Sequence, residues 1–152
     1  MKEKMNMKLR TLILAISLVF GVSTSLFAQP AAVKKAADAA FTLTTFKADG
    51  SILATSNGVC ISTDGIAVSP WKPFIGADKA VIVDSKGQKH DVECLLGANE
   101  IYDIAKFQVS GKTAAAPLAT TVSAGDEVWL TPILKSGNAE KANVTSVEKF
   151  MD

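Results

Sequence analysis

Short runs of strand-forming residues, each cut off by a turn signal about 8–12 residues after the last, follow one another from Phe41 to Phe150. A helical bundle needs apolar positions recurring every three or four residues, which this rhythm denies. It leaves an all-β barrel or a β-sandwich. Phe41, Leu43 and Thr45 alternate with Thr42, Thr44 and Phe46, as a half-buried strand requires. Ala48-Asp49-Gly50-Ser51 is a turn, and Ile52 to Thr55 resumes the strand. Gly58 to Ser62 and Ile66 to Ser69 flank Asp64-Gly65, the dipeptide that most strongly marks a hairpin. Pro70 to Gly76 holds two prolines and is no central strand. Lys79 to Asp84 and Lys89 to Leu96 flank the turn Ser85 to Gln88, with Val92 and Cys94 expected on one face. Gly97 to Tyr102 reads as a loop, Ile104 to Val109 as a strand and Ser110 to Thr121 as a loop. A strand from Glu127 to Leu134, interrupted at Pro132, and a last one from Ala142 to Phe150 complete the pattern.

The front of the chain is different. Lys2, Lys4, Lys8 and Arg10 precede an apolar run from Thr11 to Phe27, which ends on the small residue Ala28. A basic start, an apolar centre and a small residue at the cut are the parts of a secretory signal peptide. The run is at the short limit for a membrane span, and Gly21, Ser23, Thr24 and Ser25 weaken its far end. Cleavage after Ala28 is therefore expected, with the product exported to the periplasm or outside the cell. Membrane contact is expected only through the uncleaved signal peptide, since no cysteine follows the run to carry a lipid. Alanine-rich Pro30 to Ala40 reads as a linker passing into a short helix.

Sixteen basic and fifteen acidic side chains nearly cancel, and no basic stripe or aromatic ladder appears, so nucleic-acid binding has no support. An exported chain meets an oxidising compartment, where Cys60 and Cys94 are free to bridge. Each lies in an apolar strand run, however, where a thiol packs as a small hydrophobe; core thiols are the expectation and a disulfide the alternative. Two cysteines and the single histidine, His90, make a poor ligand set, so neither a metal nor another cofactor is expected.

The stretch Ser56 to Val109 resembles the first barrel of trypsin-like serine proteases of the HtrA-like bacterial group. The matching parts occur in order: the strand Gly58 to Ile61, the Asp64-Gly65 hairpin, the turn Gly76-Ala77-Asp78, the hairpin Val81 to Cys94, and the loop Gly97 to Asp103 opening the strand Ile104 to Val109. Ala124 to Trp129 is similar to the crossover into that family's second barrel, and Val144-Thr145-Ser146 to that barrel's first strand. The resemblance implies a six-stranded antiparallel barrel of the trypsin-like type, with a short N-terminal helix and the start of a second barrel. It divides the chain into a signal peptide (1–28), a linker and short helix (29–40), the first barrel (41–121), and the crossover with the first strand of an incomplete second barrel (122–152).

The resemblance puts the triad acid at Asp103 and the general base at Lys72, where the family keeps histidine. A shift of one residue gives Trp71 or Pro73 and restores no imidazole. A triad base must accept the serine proton and pass it on near neutral pH. Lysine, with a reference value of about 10.4, does so only when strongly desolvated. No Gly-x-Ser-x-Gly or Gly-Asp-Ser-Gly loop occurs, and Ser136 before Gly137 reads as a hairpin turn. His90 is expected to be an exposed hairpin residue remote from Asp103. Asp103 is then expected to cap its loop or to pair with Lys72, while Trp71 and Phe74 pack either across the former cleft or into the core. The reading that follows is an exported serine-protease-related domain without an intact triad, acting by binding a peptide or protein, most naturally as a strand laid on a sheet edge. Two alternatives remain: an N-terminal fragment of a serine endopeptidase, which leaves an interbarrel surface uncovered, and an unrelated exported β-sandwich used in the envelope or for adhesion.

Overall fold

The computed structural model describes residues 31–130 and 139–147. The signal-peptide assignment, Pro132 and Ser136 therefore lie outside the described residues. One helix, α1 (Ala31–Asp38), leads into β1 (Ala40–Phe46). The strands β2 (Ile52–Cys60), β3 (Ile66–Ser69), β4 (Lys79–Asp84), β5 (Lys89–Asn99) and β6 (Ile104–Val109) follow, with a one-turn 3-10 helix at Lys72–Phe74 between β3 and β4. They close into a barrel in the order β1-β2-β3-β6-β5-β4, every pairing antiparallel. β1 pairs with β2 on one side and with β4 on the other, and that closure excludes the sandwich alternative. A separate two-stranded ladder joins β7 (Glu127–Leu130) to β8 (Glu140–Asn143).

Burial alternates strictly along β1, so Phe41, Leu43 and Thr45 point into the barrel. Inside a barrel of this size the volume is filled by large and small side chains set against each other. Here Phe41, Leu43, Ile82 and Phe107 meet Ala67, Ala80 and Ala105. Thr45, buried among them, satisfies its hydroxyl by donating to the Ala54 carbonyl at 3.4 Å. The hairpins close on their own polar residues. Asp49 accepts the Ser51 N–H at 2.9 Å in the β1–β2 turn, and Asp84 accepts the N–H groups of Lys86 and Gln88 at 2.9 and 2.8 Å in the β4–β5 turn. Gly65 adopts φ +89° after Asp64, as the hairpin signal requires.

Four expectations are corrected. Ile52–Cys60 is one continuous strand, because β1 pairs with it in unbroken register from Thr55 to Val59, across the gap left between Thr55 and Gly58; its one irregularity is a bulge at Leu53. β5 continues through Gly97 to Asn99 because β6 pairs with it to Ile104. Two bulges in β5, between Val92 and Cys94 and between Leu95 and Gly97, break the alternation, so Val92 packs on the core while Cys94 is exposed. Only Cys60 is a core thiol, and both cysteines are free. Among the described residues the last strand is Glu140–Asn143, and Val144 is taken up by the Gly125–Asp126 turn through bonds of 2.7 and 2.9 Å; of the strand expected from Ala142 to Phe150, residues 148–150 lie outside the described residues.

Candidate functional site

The end of β3, the 3-10 turn and the loop before β6 meet at one rim of the barrel. β3 and β6 are paired with Ser69 opposite Ala105, so the chain leaving β3 and the chain entering β6 run side by side and Trp71 comes beside Asp103. Pro70 and Pro73 keep the intervening chain out of the ladder, and Pro73 sits in the first turn of the 3-10 helix, where no N–H is needed. The consequence is that Lys72 and Asp103 face each other. Asp103 Oδ1 accepts the main-chain N–H of Lys72 at 2.8 Å, and Trp71 N–H donates to the Asp103 carbonyl at 3.3 Å. Lys72 Nζ stands 3.8 Å from Asp103 Oδ2. With the lysine side chain 77% exposed, that ion pair contributes little, about 0–1 kcal/mol. The main-chain bond is the stronger tie, and no sequence signal announces it: Asp103 holds the backbone of Lys72 more closely than its ammonium.

Asp103 is also the one described non-glycine residue with positive φ, at +52°. Aspartate tolerates this conformation better than most residues because its short carboxylate bonds locally. We expect Asp103→Asn, which keeps an acceptor and tolerates the same backbone, to cost under about 1 kcal/mol in urea unfolding. Asp103→Ala, which leaves the Lys72 N–H without its partner in a left-handed residue, is expected to cost about 1–3 kcal/mol. Equal costs would show that the carboxylate-to-backbone bond contributes nothing.

Trp71 and Phe74 tie this rim to the core. Trp71 stacks on Phe74 at 6.2 Å and 15°, and Phe74 tilts against Phe107 at 5.2 Å. Phe74 is buried in the core cluster, so its role is ordinary packing.

His90 departs from the exposed position expected of it. It is 7% exposed, opposite Ile82 on β4, with Nδ1–H donating to the Ser110 carbonyl at 2.8 Å and Nε2 3.5 Å from Asp84 Oδ2. The ring is buried because both nitrogens have oxygens to face, so inward placement leaves no polar atom unsatisfied. The sequence signal for this is the placement of Asp84 and His90 on either side of a tight turn. His90 lies at the start of β5 and the Asp103 loop follows its end. A strand of that length spans on the order of 30 Å, so the imidazole has no access to Asp103.

Burial pushes the Cys60 thiol up, as suits an inert core residue. For Asp84, burial pushes upward, but the N–H groups of Gln88 and Lys86 and the His90 ring outweigh it and hold the carboxyl below its ordinary value. A carboxylate with a depressed value in the folded state adds stability above its unfolded value of about 4, and loses that contribution as pH falls through the folded value. Unfolding free energy should therefore drop from about pH 5 downward more steeply in the parent protein than in Asp84→Asn. Parallel acid profiles would remove Asp84 from the acid response. Among the described residues, no group of three or more histidine, cysteine, aspartate or glutamate side chains is placed to hold a metal.

No family model matches the sequence, and no curated protein matches it. Solved structures do. One is the serine endoprotease from Yersinia pestis, with a TM-score of 0.62 and 18% sequence identity over 76% of this chain. The match spans 43% of the Yersinia chain, so this chain corresponds to less than half of that protein's length. A likeness at that identity speaks for architecture alone, and it agrees with the closed six-stranded barrel: the fold is one that this serine endoprotease also has.

Proposed function

We propose that this chain is an exported, serine-protease-related domain that binds a peptide or protein segment and does not hydrolyse it. The observation that carries the reading is the occupancy of the acid–base rim. Asp103, in the position the resemblance gives to the triad acid, is engaged by the main chain of Lys72, and the base position presents an exposed ammonium. A general base of the triad type needs an imidazole whose far nitrogen is held by that carboxylate. The single imidazole of the chain is buried against Ser110 and Asp84. Lys72 stands in water, whereas a lysine serving as base needs a dry surrounding.

The test is hydrolysis of fluorescein-labelled casein, together with labelling by a fluorophosphonate probe. No turnover and no labelling are expected, for the parent and for Lys72→His alike, since the variant restores a base and supplies no nucleophile. Turnover that disappears in Asp103→Asn would overturn the reading. Export is tested by the mass of the mature N-terminus: a product starting at Gln29 in the periplasm or medium is expected.

A second reading is favoured by the 43% span of the Yersinia chain: these residues are the N-terminal part of a serine endopeptidase whose nucleophile lies in sequence beyond them. The mass of the natural gene product decides between the two.

A further inference from the structure

The barrel is closed, yet not every strand is paired along its whole length. β4 meets β5 only from Lys89 to Asp91, whereas β6 follows β5 from Val92 to Asn99. Among the described residues nothing pairs with the other edge of β5 from Glu93 to Asn99. A second such edge runs along β2, which β1 accompanies throughout and β3 meets only at Val59 and Cys60. An unpaired edge is a row of free N–H and C=O groups, a template for another strand. The two differ in side chains. The β2 edge carries Thr55, Ser56 and Asn57, polar residues that suit water, with a single strongly exposed apolar side chain, Ile52 at 64%, at its turn end. The β5 edge carries Cys94, Leu95 and Leu96, all exposed, with Leu95 at 45% and Leu96 at 50%. Ile101, 86% exposed, and Ile104, 46% exposed, extend this apolar area around the hairpin tip. Clustered exposed apolar side chains beside a free edge mark a surface that is covered in use.

Charge indicates what covers it. Glu93 and Glu100 are exposed and bracket the apolar stretch, while Lys106 stands across from its centre at Gly97. A second copy laid antiparallel about Leu96 and Gly97 sets Glu93 against Glu100 of the partner at both ends, and like charges directly opposite are destabilising. A segment with cations at its ends has the complementary pattern. Resting on the binding role proposed above, we infer that the outer edge of β5, from Glu93 to Asn99, takes a short extended peptide as an added strand, apolar at its centre and carrying lysine or arginine at its ends. Main-chain hydrogen bonds supply the pairing and Leu95 and Leu96 the apolar contact. The two bulges raise the local twist and restrict the pairing to a short segment.

The probe is a random dodecapeptide library displayed on phage, selected on the full chain, followed by synthesis of the enriched peptide. Enrichment of apolar-centred, basic-ended sequences is expected, with slowed amide exchange from Glu93 to Asn99 on binding. Methylating alternate peptide N–H groups should weaken binding by about two- to tenfold for each bond lost, and the intervening positions should not respond. Leu96→Lys, an exposed substitution with little effect on folding, should weaken it further. Three results would each overturn the inference: no enrichment; protection confined to β2 or another segment; or a concentration-dependent dimer protecting the same β5 amides without peptide. Mass spectrometry of the recovered peptide keeps the two readings apart. Cleavage would sink the inactive-domain reading and leave the β5 edge standing, whereas intact peptide protecting another segment would do the reverse.

Discussion

Phe107→Ala lowers the unfolding free energy by about 3–5 kcal/mol, the range for deleting a fully buried phenylalanine. Phe107 is 0% exposed, and its ring is the junction of the aromatic cluster: Phe41 meets it edge-on at 6.0 Å and 74°, and Phe74 tilts against it at 5.2 Å. Neither neighbour is able to collapse into the void. Phe41 is fixed by β1, which is paired on both sides, and Phe74 by the 3-10 turn. A domain has only about 5–15 kcal/mol in total, so a single truncation here removes a large share of it. The loss also reaches the candidate site, because Phe74 is two residues from Lys72 and stacks on Trp71. In Phe107→Ala the Lys72 amide, bonded to Asp103, should exchange faster even under conditions where the barrel stays folded. Ile101→Ala, at an 86% exposed position, is the control and should stay within about 0.5 kcal/mol. Urea unfolding of both variants, with exchange at Lys72, checks the pair; a loss under about 1 kcal/mol at Phe107 would contradict the packing described.

The barrel is readable because its strands announce themselves through residues with physical necessity. Phe41, Leu43 and Thr45 have to share a face, and Asp64-Gly65 has to turn. The opposition of Lys72 and Asp103 comes from the resemblance, and the structure supplies its cause in the pairing of β3 with β6. What stays hidden depends on contacts between segments distant in sequence. The ring of His90 is buried because Ser110, at the far end of β6, offers a carbonyl, and nothing near His90 in sequence announces that oxygen. Cys94 is exposed because bulges reset the alternation of β5. The isolated Gly97 inside an apolar run is the available sign of this, since a glycine within a strand often marks a bulge. Asp103 binding the Lys72 backbone in preference to its side chain needs the left-handed turn at Asp103, which no pattern in the loop Glu100 to Tyr102 encodes.

Gly58→Ala should cost about 3 kcal/mol, the upper part of the range for forcing an atom into a filled core. Gly58 sits in β2 opposite Phe41, and a Cβ there would overlap both the Phe41 ring and the Val68 carbonyl. The ring has no alternative place, because Phe107 packs against it from inside the barrel. The carbonyl belongs to β3 next to the short Val59–Val68 and Cys60–Ala67 pairing, so moving it strains the narrowest seam of the closed barrel. Gly50→Ala separates this steric effect from the ordinary strain of placing alanine where glycine was. Gly50 has φ +79° with open space where an alanine methyl would stand, so its cost is backbone strain alone, about 1–2 kcal/mol. Gly58 has no positive φ, and its cost is overlap alone. The two variants should also fail differently. Gly58→Ala should speed amide exchange at Val59 and Cys60, where the seam opens, while Gly50→Ala should act on the Lys47–Ser51 turn. If Gly58→Ala proves no worse than Gly50→Ala, β2 and β3 have room to part at this seam, and the close approach of Gly58 to Phe41 is not what holds the barrel shut there.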